Sequence, residues 1–268
     1  MHPILFHVGA YAVHTFGVML MLGFAVSVYR AYRAALQYAG VAGSPDPLDV
    51  LDVSIWMIVA GVIGARLMFV IIDWAQYRGH PSSWFAIWEG GISFHGALIG
   101  GFLAMLIYTK RRRISLLKLA DLLVPSAMIG YAIGRIGCLF NGCCYGAPTN
   151  MPWGIRFFDD GHWTPPSHPT QLYASLISFA FFGVLVWLER RKSFDGQLLG
   201  WYLILAAVER FTMEIWRAGY TSTVVALGLT DVQFLCLGLI VVGTICLITF
   251  RRRKSPIPSN QPVGAVTS

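Results

Sequence analysis

Leu119 to Phe140 reads LADLLVPSAMIGYAIGRIGCLF, an apolar run interrupted by Asp121 near its start and Arg135 near its end. As a helix rising 1.5 Å per residue it covers about 33 Å, enough to cross the hydrocarbon core of a bilayer. A guanidinium is essentially never deprotonated, so placing Arg135 there costs a few kcal/mol unless something anionic meets it. The flanking stretch Gly134 to Gly146 contains no carboxylate. The charge of Arg135 must therefore be met by another element or by a ligand.

Six further segments have the same character: Ala12 to Tyr29, Val50 to Ile72, Ile92 to Tyr108, Pro169 to Trp187, Gln197 to Trp216 and Thr230 to Phe250. With 56% hydrophobic and 12% charged residues over 268 positions, the chain is too apolar for an ordinary soluble protein. The pattern predicts an all-α integral membrane protein with seven transmembrane helices. No Lys or Arg precedes the first apolar run, so that run is expected to remain as a span rather than be removed as a signal peptide.

Basic residues orient the spans. The loops after spans one, three and five and the tail after span seven hold fourteen Lys and Arg, from Arg30 to Lys254. The opposite loops hold Arg78, Arg156 and Arg217. The positive-inside bias puts the amino terminus outside and the carboxyl terminus inside. The net charge of +7 is thus topological, because the cationic clusters flank spans and form no single face for nucleic acid. Residues 1–254 read as one polytopic domain with a small extracytoplasmic cap at 141–168. Residues 255–268 read as a disordered cytoplasmic tail. Ser82 to Trp88 suits an interfacial helix, leading into the glycine-rich stretch Trp88 to Gly96.

In this orientation Arg66, Arg135 and Arg210 sit about 7 to 9 Å before the outer ends of spans two, four and six. His95, near the start of span three, falls about 5 Å from the same surface. An anion site is one reading of this shared depth. The structural reading is that Arg66, after Gly64-Ala65, locks helices together, and that Arg210 pairs with Glu214 at i+4. Being level with the arginines and near Gly90-Gly91 favours a functional role for His95. Cys138, Cys143 and Cys144 admit a disulfide, simple packing, or, ranked below these, a metal site with His162 or His168.

These residues resemble those of the bacterial prolipoprotein diacylglyceryl transferases. The match lies in His14-Thr-Phe-Gly17, Gly64-Ala-Arg-Leu67, Trp88 to Gly96, Gly134 to Gly146, His168-Pro-Thr-Gln-Leu-Tyr173 and Arg210 to Arg217, in that order. The resemblance implies transfer of the diacylglyceryl group of phosphatidylglycerol to the lipobox cysteine of a prolipoprotein, giving a thioether and glycerol phosphate. It implies catalytic roles for His95, Arg135 and Arg210, substrate contacts by Asn141, Gly146 and Glu214 besides Arg135 and Arg66, and a bacterial inner-membrane location with the site towards the outer leaflet. Both phosphatidylglycerol and the prolipoprotein signal peptide would enter from the membrane. No cofactor and no metal are implied. Phe16 stands where many members have tyrosine, Cys138 replaces an asparagine, Cys143 a glutamate and Ala174 an acidic residue. Two other functions remain in view: a non-catalytic protein that handles anionic phospholipid, and an enzyme that uses Cys143 or Cys144 as its own nucleophile.

Overall fold

The structure is a computed structural model that describes residues 4–8, 11–41, 43–79, 81–86, 90–159, 161–217 and 223–252. Each of the seven apolar segments forms a helix: α1 (Thr15–Ala35), α2 (Pro47–Ile72), α4 (Phe94–Arg112), α5 (Leu116–Asn141), α6 (Thr170–Glu189), α7 (Gln197–Ile215) and α8 (Asp231–Arg252). A four-residue helix, α3 (Trp74–Tyr77), follows α2. Five stretches, Thr15–Tyr38, Pro47–Ile72, Leu116–Asn141, Thr170–Glu189 and Asp231–Arg252, are long and apolar enough to cross a membrane. The remaining two long helices are more polar for a physical reason: α4 runs into Lys110-Arg111-Arg112, and α7 carries Glu209, Arg210 and Glu214.

The first helix departs from expectation. Ala12 to His14 belong to strand β2 (Tyr11–His14), which pairs antiparallel with β1 (Ile4–Val8). Alternating aromatic and β-branched residues there favour an extended backbone, and the apolar run turns helical only at Thr15. The expected tail at 255–268 lies outside the described residues, as do residues 87–89 of the glycine-rich stretch. Its preceding segment forms a short 3-10 helix, Pro81–Phe85.

The chain divides into two compact units: Val28–Leu119, and Met1–Ser27 with Ala120–Ser268. In Val28–Leu119, α2 and α4 run antiparallel in close contact. A Cβ on Gly96 would overlap the carbonyl oxygen of Gly64, and one on Gly100 that of Ala60. Small residues let the two backbones touch, the arrangement that supplies dispersion and close packing where lipid offers no hydrophobic contrast. The far ends are tied by Asp49, whose carboxylate accepts from the Asp46 backbone N–H (2.9 Å), the Tyr108 hydroxyl (2.9 Å) and Arg112 Nε (3.1 Å).

The second unit is built on α5. Ser27 Oγ donates to the Ser126 carbonyl at 2.7 Å, and Ser175 Oγ of α6 to the Ala132 carbonyl at 2.9 Å. Phe16 and Met19 of α1 pack against Gly137. At the opposite end of α5, the buried Asp121 carboxylate accepts the backbone N–H groups of Gly196 (2.7 Å) and Leu199 (2.9 Å), so it caps α7. Lys192 Nζ meets the same carboxylate at 2.9 Å and Asp195 at 3.2 Å. This lock sets α7 beside α5, and these two helices carry Arg210 and Arg135.

Between α5 and α6 lies the hairpin of β3 (Phe158–Asp159) and β4 (His162–Trp163). Its anchor is Phe157, fully buried and stacked on Tyr145 with ring centroids 4.8 Å apart. A third hairpin, β5 (Val224–Ala226) with β6 (Leu229–Thr230), precedes α8.

Burial alone would depress the Lys192 ammonium, yet the Asp121 carboxylate outweighs it and holds the pKa above the ordinary lysine value. A raised folded value means the pair's contribution is complete below the unfolded lysine pKa and fades only as pH climbs through the folded one. Lys192→Met is expected to cost about 3 kcal/mol at neutral pH, because Asp121 is left buried without its cation. Adding Asp121→Asn should recover part of the loss. Thermal melting of the purified protein in detergent measures both.

Candidate functional site

Arg135 and Tyr131 are four residues apart on α5, so they share one face. Arg135 Nη2 donates to the Tyr131 hydroxyl at 2.5 Å, and the guanidinium carbon lies 4.8 Å from the centre of that ring. The Tyr131 hydroxyl in turn donates to both carboxylate oxygens of Glu209 on α7, at 3.4 Å each. Glu209 is buried. Arg135 Nε is buried too and finds no hydrogen-bond acceptor among the described residues.

Arg210 follows Glu209 on α7 and approaches Glu214 one turn on, with Nη1 2.6 Å from Oε2. Neither atom achieves hydrogen-bond alignment, so the contact is one of charge. Glu214 is fully buried, and its other oxygen accepts from Thr230 Oγ1 at 3.4 Å. Arg217, just past the end of α7, feels Arg210, Glu214 and Arg135 electrostatically; burial first, and then Arg210, lower its pKa from the ordinary arginine value. Three guanidiniums and two carboxyl groups thus occupy one region of this unit, an excess of positive charge.

The loop after α5 lies against that cluster. Asn141 is the last residue of α5 and is exposed. Gly146 is buried and donates its N–H to the His168 carbonyl at 2.9 Å; a Cβ there would strike the Trp216 carbonyl oxygen and Thr170. No other residue type fits without moving the end of α7. Thr170 Oγ1 and Gln171 Nε2 of α6 hold the carbonyls of Cys144 (2.8 Å) and Cys143 (2.6 Å). Cys138, Cys143 and Cys144 are free thiols in a tight cluster, with none of them in a disulfide. Hydrogen bonding by the Cys138 and Cys143 thiols, aided by Arg135 and Arg217, lowers the pKa of Cys144. His168 instead packs its ring beside Tyr173 and Trp216.

Arg66 and His95 belong to the unit Val28–Leu119. Arg66 is only 4% exposed and is caged by main-chain carbonyls. Nε donates to Trp84 (3.0 Å), Nη1 to Gly90 (2.7 Å) and Gly91 (2.8 Å), and Nη2 to Ser83 (2.5 Å). Tyr77 adds a ring face, 5.2 Å from the guanidinium carbon. Gly90 and Gly91 both have positive φ (84° and 73°), and a side chain on Gly91 would collide with Phe69 and with Arg66 itself. His95 lies on the first turn of α4, exposed, its ring edge-on to Phe94 and without a hydrogen bond among the described residues.

A family model described as prolipoprotein diacylglyceryl transferase matches residues 3–249. The chain belongs to the prolipoprotein diacylglyceryl transferase family. Phosphatidylglycerol–prolipoprotein diacylglyceryl transferases similar to it include one from Nostoc sp., 34% identical over 278 residues and covering 97% of this chain and 93% of the relative. Another, from Nitratidesulfovibrio vulgaris, is 35% identical over 257 residues, covering 93% of this chain and 94% of its own. A third, from Geobacter sulfurreducens, is 32% identical over 258 residues, covering 95% and 97%. The chain is accordingly a transferase with several membrane-type helices.

In this transferase Tyr131 has a usable sequence signal, its i−4 spacing from Arg135. Thr170 and Gln171 lie in the His168 to Tyr173 motif, but their hold on the cysteine loop has no signal in spacing. The cage around Arg66 assigns its donors to the protein's own backbone. Lysine offers a point charge in place of a planar fork and cannot serve four carbonyls on three sides. Arg66→Lys is therefore expected to lower stability by roughly 2 kcal/mol through unsatisfied carbonyls, read as a lower melting temperature of the purified transferase in detergent.

Proposed function

We propose that this transferase moves the diacylglyceryl group of phosphatidylglycerol onto the lipobox cysteine of a prolipoprotein, with Arg135 and Arg210 receiving the phosphate. The observation that carries this is the unmet Nε of Arg135 within a cluster of three guanidiniums and two carboxyl groups. A planar guanidinium binds phosphate oxygens bidentately, and such bonds strengthen where water is excluded. The names of the relatives point to the same donor lipid.

In the reaction the thiol sulfur attacks the glyceryl carbon next to the phosphate ester. The carbon–sulfur bond forms, the carbon–oxygen bond breaks, the thiol proton passes to a base, and glycerol phosphate leaves with the electron pair. Arg135 and Arg210 act on the leaving phosphate, whose charge grows in the transition state. Glu214 holds Arg210 from behind, and Tyr131 with Glu209 orients Arg135. A free thiol is only a few per cent thiolate at neutral pH, so a base accelerates the attack. His95 takes that proton; its imidazole, exposed and without a hydrogen bond among the described residues, supports the role. Asn141 and Gly146 shape the substrate-facing loop, while Arg66 acts by fixing the Gly90-Gly91 turn ahead of His95.

The seven apolar helices and the fourteen-to-three distribution of Lys and Arg support seven spans with the amino terminus outside and the site in the outer half, and membership of a bacterial lipoprotein-maturation family supports the inner membrane. Phosphatidylglycerol and the signal peptide, each apolar along its length, then arrive laterally.

The assay is thioether formation from labelled phosphatidylglycerol and a lipobox peptide by the purified enzyme. Arg135→Lys is expected to lose about 100-fold in kcat/KM, as when one preorganised donor to a developing charge is lost, with melting temperature unchanged; near-normal transfer would remove Arg135 from the mechanism. His95→Gln should lose about 100-fold in kcat/KM. Parental rates at every pH would exclude His95 as the base.

A further inference from the structure

The three thiols at the end of α5 form a cluster that the transfer reaction does not use. The Sγ atoms of Cys138, Cys143 and Cys144 all lie within 4.8 Å of one another. Adjacent cysteines ordinarily point apart, which argues against their sharing a ligand. Here Cys144 adopts a left-handed backbone, φ 66°, and that turn brings its Sγ to 3.7 Å from the Sγ of Cys143. A residue with a side chain pays for φ in this region, so the conformation has to be imposed from outside. The bonds from Thr170 Oγ1 and Gln171 Nε2 to the two cysteine carbonyls impose it. Cys138, one turn along α5, supplies the third sulfur, and Cys143 Sγ lies 3.8 Å from its carbonyl oxygen.

We propose that Cys138, Cys143 and Cys144 form a binding site for a thiophilic cation held by three thiolates, Cu(I) being the ion whose coordination they match. A metal bonded to three sulfurs at about 2.3 Å in a trigonal plane sets those sulfurs about 4 Å apart, within the separation found here. Soft thiolates favour Cu(I), which accepts low coordination, whereas zinc in a closed site takes four ligands. No His, Asp or Glu joins the trio among the described residues. A disulfide between the vicinal pair is disfavoured, because Cα atoms joined by a trans peptide sit about 3.8 Å apart, below the usual disulfide range. Three thiolates around one monovalent cation leave excess negative charge, and Arg135 and Arg217 lie within electrostatic range of Cys144 to offset it. The exposed Cys144 provides the way in.

The test is anaerobic titration of the full-length, reduced protein in detergent with Cu(I), in competition with bicinchoninate. One Cu(I) per chain is expected, with X-ray absorption showing a sulfur-only shell of three. Cys144→Gly removes one thiol while suiting the left-handed backbone, so folding should persist; it and Cys138→Ala should each weaken retention by roughly 100-fold. The double variant Cys236→Ser, Cys246→Ser should bind as the parent does. Failure to compete with the chelator, retention indifferent to Cys144→Gly and Cys138→Ala, or a disulfide within the trio in protein purified from membranes without reductant would each overturn the assignment. None of these readouts depends on the phospholipid reaction.

Discussion

A guanidinium inside an apolar helix cannot shed its proton, and the structure is organised around how each one is met. Arg66 is met completely, by four carbonyls and a tyrosine ring, and becomes a fixed part of the unit it lies in. Arg210 is met by one buried carboxylate at 2.6 Å. Arg135 is met only in part, by a tyrosine hydroxyl that relays it to Glu209, and its Nε is left over among the described residues. The same residue type is therefore fully satisfied by the backbone in one place and left with a free donor, among the described residues, in another. What separates them is the number of acceptors that the fold supplies.

That supply depends on how α5, α6 and α7 are held. Asp121 and Lys192 fasten the start of α7 to α5 at one end. At the other, Gly146 and Ala147 bond to His168 and Trp216, joining the loop after α5 to the start of α6 and the end of α7. With both ends tied, Glu209 and Arg210 face Arg135 without any direct bond between the arginines. Repulsion among Arg135, Arg210 and Arg217 is offset by Glu209 and Glu214, which lie among them. Ties of this kind hold the charged groups in place before any ligand binds, the condition under which electrostatic stabilisation is effective in catalysis.

Much of this was legible in the linear chain. All seven helices follow from apolar runs, and the ends agree to within four residues except that the first helix runs on past Tyr29 to Ala35; at its start a local β-hairpin takes Ala12 to His14 and overrides hydropathy. The pairing of Arg210 with Glu214 follows from i, i+4 spacing, and so, in retrospect, does that of Arg135 with Tyr131. The carbonyl cage of Arg66 was not legible, since main-chain oxygens carry no residue-type signal. The cysteine spacing left a disulfide, packing or a metal site open, and the convergence of all three thiols was decided by the left-handed turn at Cys144, beside carbonyls held by Thr170 and Gln171.

The sequence by itself determined the helices, the family and the identity of the charged residues that lie within apolar surroundings, because hydropathy and one-dimensional spacing act through the local backbone. The tertiary structure alone decided which arginine is already satisfied and which still seeks a partner. Satisfaction is a count of acceptors within about 3 Å, and those acceptors come from Gly90, Ser83, Tyr131 and Glu214, on segments whose nearness to each guanidinium exists only once the chain has packed.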